Sequence, residues 1–189
     1  MYNTQKAVGD FFENRVIQLF DLQRSGGELP DLTSRKRKFF MEVKASAYTN
    51  GGVINQGQIQ RFNQEINIRR FYAFAYHSIG KNMGRSYATR EALEADLDLR
   101  SLYIFPFSIV FSYFNASDKR RTPFHDTFVL MREKTAEKIF LEDAETWKKL
   151  ELKTEDYKMI QPHKRVFIIT RQGNLEQELL NSFRPGAIC

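Results

Sequence analysis

Apolar residues recur at helical spacing over residues 4–22, where Val8, Phe12, Val16, Leu19 and Phe20 share one side and Thr4 stands at an N-cap position. "RSGGELP" breaks that pattern with two glycines and a proline. Two extended segments follow, over about 28–34 and 38–46, joined by the polar turn "SRKR". "YTNGGVINQG" reads as a loop, and a second helix is predicted over about 55–68 with Ile59, Phe62 and Ile66 on one side. "RFYAFAYHSI" is short, aromatic and suited to a buried strand. The order to this point is α-β-β-α-β.

Beyond it, "GKNMGRSY" is a loop and "TREALEADL" a short Thr-capped helix. The run 101–114, "SLYIFPFSIVFSYF", predicts one or two strands interrupted at Pro106, and "NASDKRRTP" a basic loop. "HDTFVLMRE" and "EKIFLE" read as strands, with a helix over 133–142 left open. "DAETWKKLEL" and "NLEQELLNSF" are helical, and "RVFIITR" is a strand. The pattern predicts an α/β fold with a central mixed sheet flanked by helices, the α-β-β-α-β core being followed by a C-terminal α/β extension.

Strand alternation makes residues 39–45 informative. Phe39, Met41, Val43 and Ala45 point one way, and Phe40, Glu42, Lys44 and Ser46 the other, so Glu42 and Lys44 share a face about 7 Å apart. If Lys36 and Arg37 centre the turn, antiparallel pairing sets Asp31 opposite Glu42, with Cβ atoms about 4.5–5.5 Å apart. A slip of one residue would change that partner. Like charges ~4 Å apart cost about 4 kcal/mol at an effective dielectric near 20. Shared protonation, a neighbouring cation such as Lys44 or a divalent metal would relieve that repulsion. An exposed hairpin with solvated charges is the plain alternative.

Glu13 sharpens the question. At 100° per residue, Phe20 lies about −20° from it, Val16 about −60° and Ile17 about +40°, so this carboxylate falls inside the apolar arc. It needs a partner there, either in a site or in a salt bridge to Lys or Arg. Gln58 lies about one turn before Phe62 on the rim of the second helix, where Gln56, Gln60 and Gln64 compete with it and a surface glutamine is the plain reading.

Composition narrows the class. The chain of 189 residues is 42% apolar with seventeen Phe, enough for a globular interior and in keeping with one domain over 1–189. Its single cysteine, Cys189, excludes an internal disulfide or a Cys-rich zinc site. His77, His125 and His163 are scattered and read as structural or surface residues. Trp147 reads as a helix anchor. The opening residues lack a secretory pattern and no apolar run spans a bilayer, so a soluble cytoplasmic protein with no membrane partner is expected.

The charge of +6 is compatible with a phosphate-backbone partner. Arg35, Lys36, Arg37 and Lys38 crowd the hairpin tip, and Lys119, Arg120, Arg121 and "HKR" (163–165) add further positive groups able to contact DNA phosphates. A solvated turn explains the tip equally. Tyr48, Asn50, Gly51 and Gly52 form a loop near the paired carboxylates, able to approach a nucleic-acid backbone or simply to connect.

The helix carrying Glu13, "LPD" (29–31), "MEVK" (41–44) and the helix led by "GQIQRF" (57–62) together resemble the core of the PD-(D/E)xK nuclease superfamily. The flavour is similar to archaeal Holliday-junction resolvases within the restriction-endonuclease-like fold. The resemblance covers about residues 5–80 and leaves about 81–189 as an extension. It implies that Asp31 and Glu42 hold Mg²⁺, with Mn²⁺ able to substitute, and that Glu13 completes or steadies the metal shell. It implies that Lys44 orients or deprotonates the attacking water and that Gln58 is an auxiliary active-site residue. The implied activity is metal-dependent hydrolysis of duplex or branched DNA, inactive without metal. A homodimer is compatible with cutting both strands. The competing expectation is a non-catalytic nucleic-acid-binding module on the same fold.

Overall fold

The computed structural model describes residues 4–26, 30–34, 39–64, 67–79, 87–123, 126–142, 157–171, 179 and 181–184. Helix α1, Thr4–Phe20, forms where the apolar period predicts. Asp21, in the left-handed region at φ 49°, ends it and turns the chain into β1, Leu22–Arg24. Aspartate tolerates that conformation better than most residues.

Strands β2 (Leu32–Ser34) and β3 (Phe39–Ala47) follow, then β4 (Gly52–Asn55), helix α2 (Gln56–Gln64) and β5 (Arg69–Ile79). The second half supplies α3 (Arg90–Asp96), β6 (Leu97–Pro106), α4 (Phe107–Ala116), β7 (Arg120–Arg121) and β8 (Thr127–Met131). Helix α5 (Glu133–Leu141) and strands β9 (Tyr157–His163) and β10 (Val166–Arg171) complete the described elements.

Seven strands make the central sheet in the order β1-β2-β3-β5-β6-β10-β9. It is mixed: β3–β5 and β6–β10 pair parallel, and the remaining pairs are antiparallel. Residues beyond 81 therefore share this sheet with the earlier strands through β6, β10 and β9. A second sheet, β4-β8-β7, is antiparallel throughout.

The central strands are covered on both faces, and side-chain alternation sorts the two cores. Met41, Val43, Phe71, Ala73, Ala75, Leu102 and Ile104 pack with Phe12, Val16 and Leu19 of α1. Tyr72, Phe74, Tyr76, Tyr103 and Phe105 face α2, α4, α5 and the small sheet.

Several predicted elements are corrected. "GGVINQG" contains β4, because Ile54 is buried and Gly52–Asn55 pair with Phe128–Met131. Residues 107–116 are helix α4, with Phe107, Val110 and Phe114 buried at helical spacing and Pro106 as the N-cap. "EKIFLE" takes the helical alternative left open over 133–142, as part of α5, which buries Ala136, Ile139 and Phe140 on one side. Arg120 and Arg121 form strand β7 instead of a loop. The α-β-β-α-β order gains the short strands β1 and β4. The helix predicted over 143–152, Trp147, His125, the turn 35–38 and most of 174–183 lie outside the described residues.

Candidate active site

The register read from the sequence is the one observed: Leu32 pairs with Met41 and Thr33 with Phe40, an offset that sets Asp31 against Glu42. The ladder stops there because a side chain takes over. Asp31 Oδ2 accepts the Val43 N–H at 2.8 Å, and Asp31 N–H donates to Glu42 Oε2 at 3.4 Å. Ser25 N–H, donating to Asp31 O at 3.1 Å, ties this point to the end of β1. Past Met41, the β2-side edge of β3 has no strand partner among the described residues.

Glu42 is 1% exposed. Its Oε1 accepts from Lys44 Nζ at 2.6 Å and from Gln58 Nε2 at 3.1 Å. Its carboxyl is pushed up to about 7, chiefly by burial, with the Lys44 ammonium lowering it and Asp31 raising it. A proton on Glu42 is therefore in balance with its ionised form near neutral pH.

Gln58 is singled out from its neighbouring glutamines by helix geometry. Asn55 Oδ1 accepts the Gln58 N–H at 2.8 Å, an N-cap that starts α2 and aims Gln58 at Glu42. Gln58 Oε1 is buried and without a hydrogen-bond partner among the described residues. β4 roofs the Lys44 stem: a Cβ on Gly52 would stand 2.7 Å from Phe74 Cδ1 and 3.2 Å from Lys44 Cβ. Only glycine permits that approach.

Glu13 reaches the site from α1 and is not free. Arg24 Nη1 donates to Glu13 Oε2 at 2.6 Å, and Arg24 also reaches Asn14 Oδ1 at 3.3 Å. Burial raises the Glu13 carboxyl, and so does Asp31, while Arg24 and Lys44 lower it. Glu13 thus has the salt-bridge partner that its place on the helix called for, and it feels the charges of Asp31 and Lys44. Among the described residues, no three or more His, Cys, Asp or Glu side chains are gathered into a metal-holding group.

Tyr72 was not anticipated from the sequence. It stands opposite Glu42 in the β3–β5 register, fully buried, with a hydroxyl that lacks a partner among the described residues. Burial and the charges of Glu42 and Asp31 push its ionisation upward, so the phenol stays neutral. The period-2 pattern of 70–79 carried the signal, since it places Tyr72, Phe74 and Tyr76 on the Glu42 face.

The basic residues are dispersed. Arg35, Lys36, Arg37 and Lys38 lie outside the described residues. Lys119, Arg120 and Arg121 are exposed on the small sheet's far edge or just before it, away from the Glu42 pair. Lys119 donates to Asn115 O at 3.3 Å, and Arg165 of "HKR" is held by Asp98 at 2.8 Å. No described helix is long and apolar enough to cross a membrane. No family model, curated protein or solved structure matches the chain.

Proposed function

We propose that this chain is a metal-dependent deoxyribonuclease with a restriction-endonuclease-like core, hydrolysing DNA phosphodiester bonds at Asp31, Glu42 and Lys44. The observation that carries this reading is Glu42: a carboxylate buried beside Asp31 and held at one oxygen by both Lys44 and Gln58. The succession α1, the β2–β3 hairpin, α2 and β5 supports the fold assignment.

The donor set suits a hard divalent cation. Two carboxylates adjoin an unpartnered, buried amide oxygen on Gln58, and Mg²⁺ is commonly bound by one or two carboxylates together with substrate phosphate. Asp31 and Glu42 would hold the ion, Mg²⁺ or Mn²⁺, which would supply Lewis-acid neutralisation of the phosphate charge.

The chain's own groups perform the rest. Hydrolysis adds water to phosphorus, breaks the bond to the leaving oxygen and delivers a proton to that oxygen. The Lys44 ammonium stands where negative charge builds on the phosphoryl group and orients the attacking water. Gln58 fixes Glu42 Oε1, and the Val43 N–H fixes Asp31 Oδ2, so neither carboxylate must reorganise during the reaction. Glu13, braced by Arg24, contributes field without entering the inner pair.

The test is cleavage of end-labelled duplex, branched and single-stranded DNA in Mg²⁺, Mn²⁺ or EDTA. Cutting that requires metal supports the reading. Tight binding without cutting in any metal would point instead to a non-catalytic nucleic-acid-binding module.

A further inference from the structure

A cleft of about 680 Å³ opens at the end of β3, one strand step beyond Lys44. Ser46, on the same face of β3 as Glu42 and Lys44, lies on its floor. Val8 of α1 forms one wall, Val53 of β4 and Leu130 of β8 the other, and His77 and Arg132 also line it. This is the stretch where the β3 edge has no strand partner among the described residues, so the cleft and the carboxylate pair lie along one edge.

We propose that this cleft holds a single unpaired nucleotide of the DNA strand, next to the phosphate being hydrolysed. The assignment rests on the nuclease reading and names its substrate class: DNA with an unpaired or displaceable base beside the cut.

Four observations carry it. The volume falls within the range of small-molecule pockets, ~300–1,000 Å³, and is far too small for a double helix. Val8, Val53 and Leu130 offer apolar surface to the flat faces of a base, the environment in which unstacked bases are bound. No carboxylate lines the cleft among the described residues while Arg132 does, so it accepts a phosphate without repulsion.

The fourth observation is His77. Its ring is buried at 4% exposure and stacks on Phe12 with centroids 5.2 Å apart, yet its Nδ1 has no hydrogen-bond partner among the described residues. Burial holds the imidazole down to about 4, so it is neutral and able to donate from one nitrogen and accept at the other. The ring itself borders the cleft, beside the place the base would take. The spacing agrees: Lys44 to Ser46 is about 7 Å along the strand, near two stacked rises of ~3.4 Å or one step of an extended chain.

The experiment places 2-aminopurine at each position in turn of a branched oligonucleotide and measures fluorescence on binding in EDTA. One position should brighten several-fold. Arg132→Ala and His77→Leu should each remove that rise while leaving the Kd for fully paired duplex within about twofold. Arg132 is exposed, so its variant tests the cleft without disturbing the core. A saturable complex with no bright position, or a rise that both variants retain, overturns the proposal. Wild-type cutting with no bright position defeats the cleft alone. A bright position without cutting in any metal supports the cleft and defeats the nuclease reading, and failure to bind DNA defeats both.

Discussion

Lys44 Nζ lies 2.6 Å from Glu42 Oε1, and the two side chains are unequally buried, at 15% and 2% exposure. The lysine side chain is the more exposed of the two. Their pairing stabilises an ionised Glu42 that burial opposes, and burial is the larger effect. The site is therefore poised around the protonation of one carboxyl.

That balance sets a pH dependence of stability. Glu42 rises from 4.5 to about 7 in the fold, so the folded state binds its proton more tightly than the unfolded chain does. The contribution is fully present below pH 4.5 and is lost as pH rises through about 7. The shift corresponds to about 3 kcal/mol. Glu42→Gln should match the wild type in urea unfolding at pH 4 and exceed it at pH 8 in EDTA. Mg²⁺ should restore wild-type stability at pH 8 and do little at pH 4.

Removing the cation leaves the buried Glu42 carboxylate with Gln58 and the Asp31 N–H as its donors. Lys44→Met should cost about 1 kcal/mol at pH 8, where Glu42 takes up a proton instead of staying charged, and much less at pH 5, where it is protonated already. Adding Glu42→Gln to it should recover most of that loss without recovering cleavage. A double-mutant cycle in denaturant measures the coupling, and additive effects would contradict the pairing.

Gly52 tests how β4 roofs the site. Gly52→Ala forces a Cβ to within 2.7 Å of the buried Phe74 ring and presses on Lys44 Cβ. The expected cost is about 1–3 kcal/mol in unfolding free energy, with slower cleavage as Lys44 shifts. An unchanged midpoint would mean that β4 stands further from the sheet.

The N-cap of α2 links helix stability to Glu42. Asn55→Ala should cost about 1 kcal/mol and release the Gln58 N–H. Asn55→Asp should keep the cap. Amide exchange at Gln58 reads the difference directly.

Much of this arrangement was legible in residues 5–80, because alternation along β3 and the helical period of α1 set which side chains share a face. The pairing of Asp31 with Glu42 followed from one of the turn centres the sequence allows, and the Leu32–Met41 and Thr33–Phe40 pairs have that register. Other parts depend on contacts remote in sequence. Strand β4 is four residues long and gains its ladder from β8, more than seventy positions away, so "GGVINQG" carries a loop signature on its own. The apolar run 107–114 suits strand or helix by composition, and packing of Phe107, Val110 and Phe114 decides for helix. Arg24 as the partner of Glu13 lies past the end of α1, at the start of the glycine-rich break, where helical spacing offers no guide. His77 reads from the sequence as a structural or surface residue, and its place on the border of the cleft depends on the fold.

The most direct measurement is the single-turnover cleavage rate of wild type, Asp31→Asn, Glu42→Gln and Lys44→Met on the best-cut DNA in saturating Mg²⁺, with DNA affinity measured in parallel. Each substitution should lower the rate by at least ~100-fold while leaving the Kd within a few-fold. Rates within tenfold of wild type for Glu42→Gln or Lys44→Met would contradict the assignment of hydrolysis to this site.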